Sequence, residues 1–276
     1  MLRKVEHPDA ATVLYQLLGR RFHSVLATAL TRSEYALGHA LLASLQIGEV
    51  VTTNFDDLYE QAAAIAFEPR ELRVLPWQRV APGMPWLLKL HGGIDHDHVV
   101  FTREDYLKFD VRWQPLASIV QTLLLTRHML FVGYSLTDEN FVRLGRGVSQ
   151  LLRQAVSDQN APEGQLIGTV LTLLGEPPLD EAWSLDLKSV AASDDAGGDG
   201  ADAYAARQLE IFLDRVAAQA ASDERSYVLD PRYVDLVEPG DREVVDHLAD
   251  LTETLTEAGP TWDLLREVLR SYGAPA

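Results

Sequence analysis

The sequence predicts an α/β fold: a Rossmann-like, open and mostly parallel sheet with helices on both faces. Three observations carry that expectation. Residues 50–55, 86–91 and 128–135 are short apolar runs, rich in branched side chains, with the continuous hydrophobicity of strands buried on both faces. Each run is followed at once by a polar cluster and then by apolar residues at helical spacing. Strand and helix patterns alternate along the chain, as they do where parallel strands are joined by crossover helices.

Taken in order, a helical pattern covers 33–45 before the strand at 50–55. A helix at 57–66 follows, then a strand at 72–77, the strand at 86–91 and a short strand at 99–102. The pattern continues with a helix at 113–127, the strand at 128–135, a helix at 138–155, and strands at 168–174 and 187–191. Residues 192–202 contain Ser193-Asp194-Asp195-Ala196-Gly197-Gly198-Asp199-Gly200, which carries too little apolar surface to bury and reads as a loop. The stretch 204–220 places Leu209, Phe212, Leu213 and Val216 on one helical face, which predicts packing onto the parent domain. From Ser222 onward, an Asp230-Pro231 turn and helical patterns at 241–256 and 261–272 read as a small appendage too short to expect its own core. The expected domains are therefore 1–221 and an acidic helical appendage at 222–276.

Composition narrows the possible functions. The chain has 276 residues, 47% of them hydrophobic, enough for one large domain or two small ones. No apolar run approaches the roughly 18 residues of a membrane span, and no apolar stretch of signal-peptide type follows the first charges, so the expected setting is cytoplasmic, away from the membrane. Cysteine is absent, which excludes disulfides, thiolate catalysis and every cysteine-based zinc or iron–sulfur site. Residues 1–156 hold equal numbers of acidic and basic side chains, whereas 157–276 hold 25 acidic against 8 basic and carry the whole net charge of −17. Such an acidic part repels a phosphate backbone, so direct nucleic-acid binding is not expected.

In a parallel sheet, ligands collect beyond the carboxyl ends of the strands, where loops and helix N-termini expose unpaired N–H groups. Three polar clusters fall there. Thr52, Thr53, Asn54, Asp56 and Asp57 follow the first strong strand, and either aspartate could simply cap the next helix while Asn54 ties the turn. His91 leaves the second strand just before Gly92 and Gly93, where it could serve as a general base or pack as an ordinary core histidine. Gly133, Ser135, Thr137 and Asp138 follow the third, in a turn that suits a ribose or phosphate as well as a tight strand-to-helix connection.

Together the clusters are more specific. Thr-Thr-Asn-Phe-Asp-Asp at 52–57, Lys-Leu-His-Gly at 89–92, Val-Phe-Thr-Arg-Glu-Asp-Tyr at 100–106 and Phe-Val-Gly-Tyr-Ser-Leu-Thr-Asp-Glu-Asn-Phe at 131–141 occur in that order. This set resembles the sirtuin-like domain of bacterial NAD-consuming proteins, many of which serve in defence against phage, over roughly residues 37–216. The resemblance implies NAD as substrate, with hydrolysis to nicotinamide and ADP-ribose. It implies that Asn54 holds the nicotinamide ribose and orients a water, that Asp56 lies in the nicotinamide region, and that His91 is the catalytic histidine. It further implies that Gly133 and Ser135 line the adenine ribose, that Asp138 is the acidic residue after that loop, and that Thr52 and Thr53 shape the pocket. A homo-oligomer or a partner protein of a defence system is the expected assembly.

Two departures shape the expectation. The structural zinc of sirtuin deacylases needs four cysteines, so no zinc and no deacylation are expected. The family's opening strand and Gly-rich pyrophosphate loop have no counterpart in residues 1–36, whose only glycine is Gly19, so an N-terminally incomplete sheet is expected. Either the native start lies upstream of Met1, the favoured reading, or the chain is a shortened relative with its pocket open on one side. The resemblance then makes residues 11–30 a remnant of the helical region that precedes the strand at 50–55. Two other readings use the same residues: an NAD- or ADP-ribose-binding scaffold subunit of weak or no activity, and ADP-ribosyl transfer.

Overall fold

The structure, a computed structural model, describes residues 7–67, 71–96, 99–109, 113–158, 166–175, 186–193, 200–221, 228–256 and 258–274. The chain divides into two compact units, Met1–Leu213 and Asp214–Ala276.

The first unit opens with helices α1 (His7–Leu18) and α2 (Phe22–Leu30), joined by a turn of 3-10 helix, and then α3 (Leu37–Ser44). Strand β1 (Glu49–Thr52) leads into α4 (Leu58–Ala66), and β2 (Arg73–Leu75) precedes β3 (Trp86–Lys89). These strands form one parallel sheet in the order β1-β3-β2, with Val51 beside Leu88 and Thr52 beside Lys89. After the short α5 (Arg103–Leu107) and α6 (Gln114–Thr126) come β4 (Met129–Val132), α7 (Glu139–Asp158), β5 (Gly168–Leu174), β6 (Leu187–Ser193) and α8 (Ala201–Ala221). Strands β4, β5 and β6 form a second parallel sheet in that order.

The parallel α/β class is as the sequence predicts, and four local expectations are corrected. The three strong strands stop short, at Thr52, Lys89 and Val132, because the polar residues that end each run leave the ladder to form loops. Residues 99–102 make a single bridge, Val99 to Gly92, instead of a strand. Thr102 and Asp105 explain why: the Thr102 hydroxyl accepts the Asp105 N–H while the Asp105 carboxylate accepts the Thr102 N–H, a reciprocal cap that starts α5. On α8, Leu213 is buried as expected, but Phe212 on the same face is 44% exposed. The loop expected at 192–202 begins later, since Ala192 and Ser193 extend β6, and residues 194–199 lie outside the described residues.

The two sheets share one core. Leu88 and Leu90 from the first, Phe131, Val170 and Leu187 from the second, Val120 and Leu124 of α6 and Phe141, Leu144 and Val148 of α7 form a single buried cluster. No ladder joins β1 to β4, yet Glu49 at the start of β1 pairs with Arg127 just before β4 at 2.8 Å. A smaller cluster, Ala43, Ala62, Ala63 and Phe67, packs α3 on α4. Gly168 allows β5 to approach β4: a Cβ there would lie 2.4 Å from the Met129 carbonyl oxygen.

The second unit contains α9 (Arg242–Thr256) and α10 (Asp263–Ser271). Leu229, Val245, Leu255, Leu269 and Ala274 are buried together. Its length argues against a core of its own, but two amphipathic helices facing one another supply a small one.

Candidate active site

The carboxyl end of β3 sends out two buried polar side chains. Lys89 is 3% exposed, and its ammonium donates to the carbonyls of Phe55 and Asp56 and to the Glu60 carboxylate at 2.6 Å. Its partners lie in the connection from β1 to α4 and in the first turn of α4, so Lys89 pins both to the strand. The Ile94 N–H adds a bond to the Phe55 carbonyl at 2.9 Å from the loop after β3. Burial pushes the Glu60 carboxyl above its ordinary range despite the opposing pull of Lys89.

His91 behaves differently. It is 2% exposed, enclosed edge-on by Tyr106 and Phe109, and its Nε2 has no formed hydrogen bond. The nearest charge is the Asp138 carboxylate, with Nε2 and Oδ2 3.4 Å apart, close enough for an ion pair but without the N–H alignment of a hydrogen bond. Burial pushes the imidazole below its ordinary value and Asp138 draws it partly back. A neutral ring with a free lone pair follows, which is the form a general base requires.

Asp138 stands at the start of α7. Its Oδ1 accepts the Phe141 N–H at 2.8 Å, an N-cap bond, and its Oδ2 accepts the Tyr106 hydroxyl at 3.3 Å. The Tyr134 hydroxyl is also buried without a partner. Burial, with the negative charge of Asp138, pushes both tyrosine hydroxyls upward, so both remain protonated donors.

The remaining residues singled out in the sequence occupy loops at the same strand ends. The Thr52 hydroxyl accepts the Asn54 N–H at 3.1 Å, and the Asn54 side chain is exposed. Thr53 is half-buried. Asp56 accepts the Leu58 N–H at 3.2 Å and so opens α4, while Asp57 accepts from Gln61. Gly133 has φ of +64°, favourable only for glycine, with open space where a side chain would project. Ser135 is exposed and shares a 2.8 Å bond with Thr137. Leu136 also takes a left-handed φ, +56°, held there by burial in the core. The structure thus brings His91 and Asp138 into direct contact and ties the Asn54 loop to β3 through Lys89. Lys89, Glu60, Tyr106 and Tyr134 were not singled out from sequence. The available signal was a lysine inside an apolar strand and two tyrosines inside the motifs.

A hollow of about 500 Å³ lies among Gln46, Glu49, Phe67, Met84 and Trp86, at the amino ends of β1 and β3. It is at the opposite end of the strands from these groups. Among the described residues no group of three or more His, Asp or Glu side chains could hold a metal, and no helix is long and apolar enough to cross a membrane.

The family model for the SIR2-like domain matches residues 48–183, from the turn before β1 to the segment after β5. Residues 48–183 form a SIR2-like domain. Within it lie all eight residues expected to carry function. Similar curated proteins include the NAD(+) hydrolase ThsA of Enterococcus faecium, 32% identical over 55% of this chain and 31% of that protein. The ThsA of Bacillus cereus is 31% identical over 37% of this chain and 22% of its own length. Defense-associated sirtuin 2 of Bacillus subtilis is 26% identical over 42% of this chain and 12% of its own. The chain therefore spans less than a third of each of these relatives.

Proposed function

We propose that the SIR2-like domain hydrolyses NAD to nicotinamide and ADP-ribose, in a bacterial defence protein that acts as an oligomer or with a partner. The observation that carries the reading is a buried, neutral histidine beside a carboxylate at the carboxyl ends of the strands. The similarity to proteins named NAD(+) hydrolases supports it. The local chemistry suits the substrate: a glycine with open space at its Cα, an exposed amide and two buried hydroxyl or imidazole groups still lacking partners could meet a dinucleotide's hydroxyls and amide.

The bond from the ribose anomeric carbon to nicotinamide nitrogen breaks with its electron pair going to nicotinamide, which leaves neutral. Positive charge develops on the ribose. Asn54 holds the ribose and a water; the water oxygen bonds to the anomeric carbon, and its proton passes to His91, directly or through a ribose hydroxyl. Thr52, Thr53 and Asp56 shape the nicotinamide end, Gly133 and Ser135 the adenine ribose end. No metal is needed, since the leaving group requires no protonation.

Nicotinamide release by the purified chain tests this. His91→Ala or Asn54→Ala should lower turnover about 10²- to 10⁴-fold. Full turnover in either variant overturns the assignment. NAD binding by calorimetry without turnover in any form favours a binding or scaffold subunit, and ADP-ribose found attached to protein by mass spectrometry favours transfer.

A further inference from the structure

We propose that Asp138 is a positioning residue for His91, its Oδ1 fixed to the N-terminus of α7 and its Oδ2 set to receive the imidazole Nε2–H. The inference rests on the hydrolase reading only for its consequence in turnover. The resemblance implies an acidic residue on the cofactor loop, whereas the geometry turns this carboxylate inward. Its side chain is 10% exposed, Oδ1 is committed to the Phe141 N–H, and Oδ2 faces Tyr106 Oη at 3.3 Å and His91 Nε2 at 3.4 Å.

An imidazole donating from Nε2 keeps its lone pair on Nδ1, so the acceptor at Oδ2 selects the tautomer as well as the ring's orientation. Nε2 is a buried donor with no completed bond, and leaving it so is costly. The distance is already within reach, so a small rotation that aligns the Nε2–H with Oδ2 completes the bond, the tightening expected when a ligand fills a site. Tyr106, on α5, braces the same oxygen and keeps the carboxylate from rotating away. The charged and titratable groups around the ring are few. The loop into α7 contributes Asp138 and Tyr134, and α5 contributes Tyr106. Glu139 pushes the Tyr106 hydroxyl up and Arg103 pulls it down, and Lys89 on β3 is turned toward Glu60.

The test is nitrogen-15 NMR of the histidine side chains across pH, paired with nicotinamide release, in the full chain and in Asp138→Asn and Tyr106→Phe. Asparagine still caps α7 through its oxygen, so the fold is kept, but it presents an N–H to Nε2 where the carboxylate presented an acceptor. His91 should change from the Nε2–H to the Nδ1–H tautomer, its midpoint should fall, and turnover should drop on the order of 10²-fold with little change in KM. Tyr106→Phe should leave the tautomer in place and move the midpoint less. An unchanged tautomer and midpoint in Asp138→Asn overturns the proposal, as does His91-dependent turnover with an unaltered pH profile in that variant. A tautomer switch in a chain that never releases nicotinamide supports the positioning role and overturns the hydrolase reading alone.

Discussion

Lys89 and His91 leave the same strand two residues apart, both almost fully buried, and meet opposite fates. Lys89 finds three oxygen acceptors and a carboxylate among them; His91 finds one carboxylate at 3.4 Å and leaves Nε2 without a completed bond. A buried charge that is fully satisfied holds structure together, because removing either partner strands the other. A buried nitrogen left short of its partner holds free energy that a ligand can release. The contrast separates the residue that builds the site from the residue expected to act in it.

The largest effect should come from Lys89→Met, which leaves Glu60 half-desolvated and unpaired. Urea unfolding should show a loss of about 3 kcal/mol, and adding Glu60→Leu should restore most of it. A stable Lys89→Met chain that loses only turnover would place Lys89 in the chemistry and break the contrast. Next, Gly168→Ala forces a methyl against the Met129 carbonyl and the Phe131 ring, at 2.4 and 2.8 Å, and should cost about 1–3 kcal/mol. It touches neither polar pair. If it reproduced the His91 tautomer switch of Asp138→Asn, that switch would report general loosening and not a lost acceptor.

The smallest effect is in the pH dependence of stability, where the two pairs should have opposite signs. His91 binds its proton less readily folded than unfolded, so stability falls as pH drops below about 6.5 and continues to fall until the folded group protonates. Glu60 binds its proton more readily folded, so its term favours the folded chain at low pH and is lost as pH rises through its raised folded value. Denaturation midpoints measured from pH 7 to 4 should lose the decline below pH 6.5 in His91→Gln, with at most one proton per molecule removed from the slope. A decline unchanged by that substitution would mean the imidazole is not held neutral by burial.

Much of the unit containing the site was legible in advance. Continuous apolar runs at 50–55, 86–91 and 128–135 marked the three strands, and their polar ends marked the candidate site, but burial on both faces holds for β3 alone: β1 is half-buried throughout and Leu130 of β4 is exposed. The strands end earlier than the apolar runs suggest, since Thr53 and Leu90 look acceptable in a strand and only the structure shows Gly133 at a left-handed φ. The strand expected at 99–102 failed for a related reason: Val99, Val100 and Phe101 have strand propensity, but the Thr102 and Asp105 cap starts a helix immediately after. Nothing in the sequence marks Lys89, because a lysine among leucines carries no sign of the carbonyls it will meet 33 and 34 residues upstream.

The order of polar clusters along the chain, the neutral first part and acidic second, and the absence of cysteine chemistry belong to the sequence alone, since each depends only on which residues are present and how far apart. The pairing of His91 with Asp138 and Tyr106, and of Lys89 with Glu60, was decided by tertiary structure. Residues 15 to 47 positions apart meet only when parallel strands and their crossover helices stack. Burial then turns ordinary side chains into a satisfied ion pair in one place and an unsatisfied imidazole in the other.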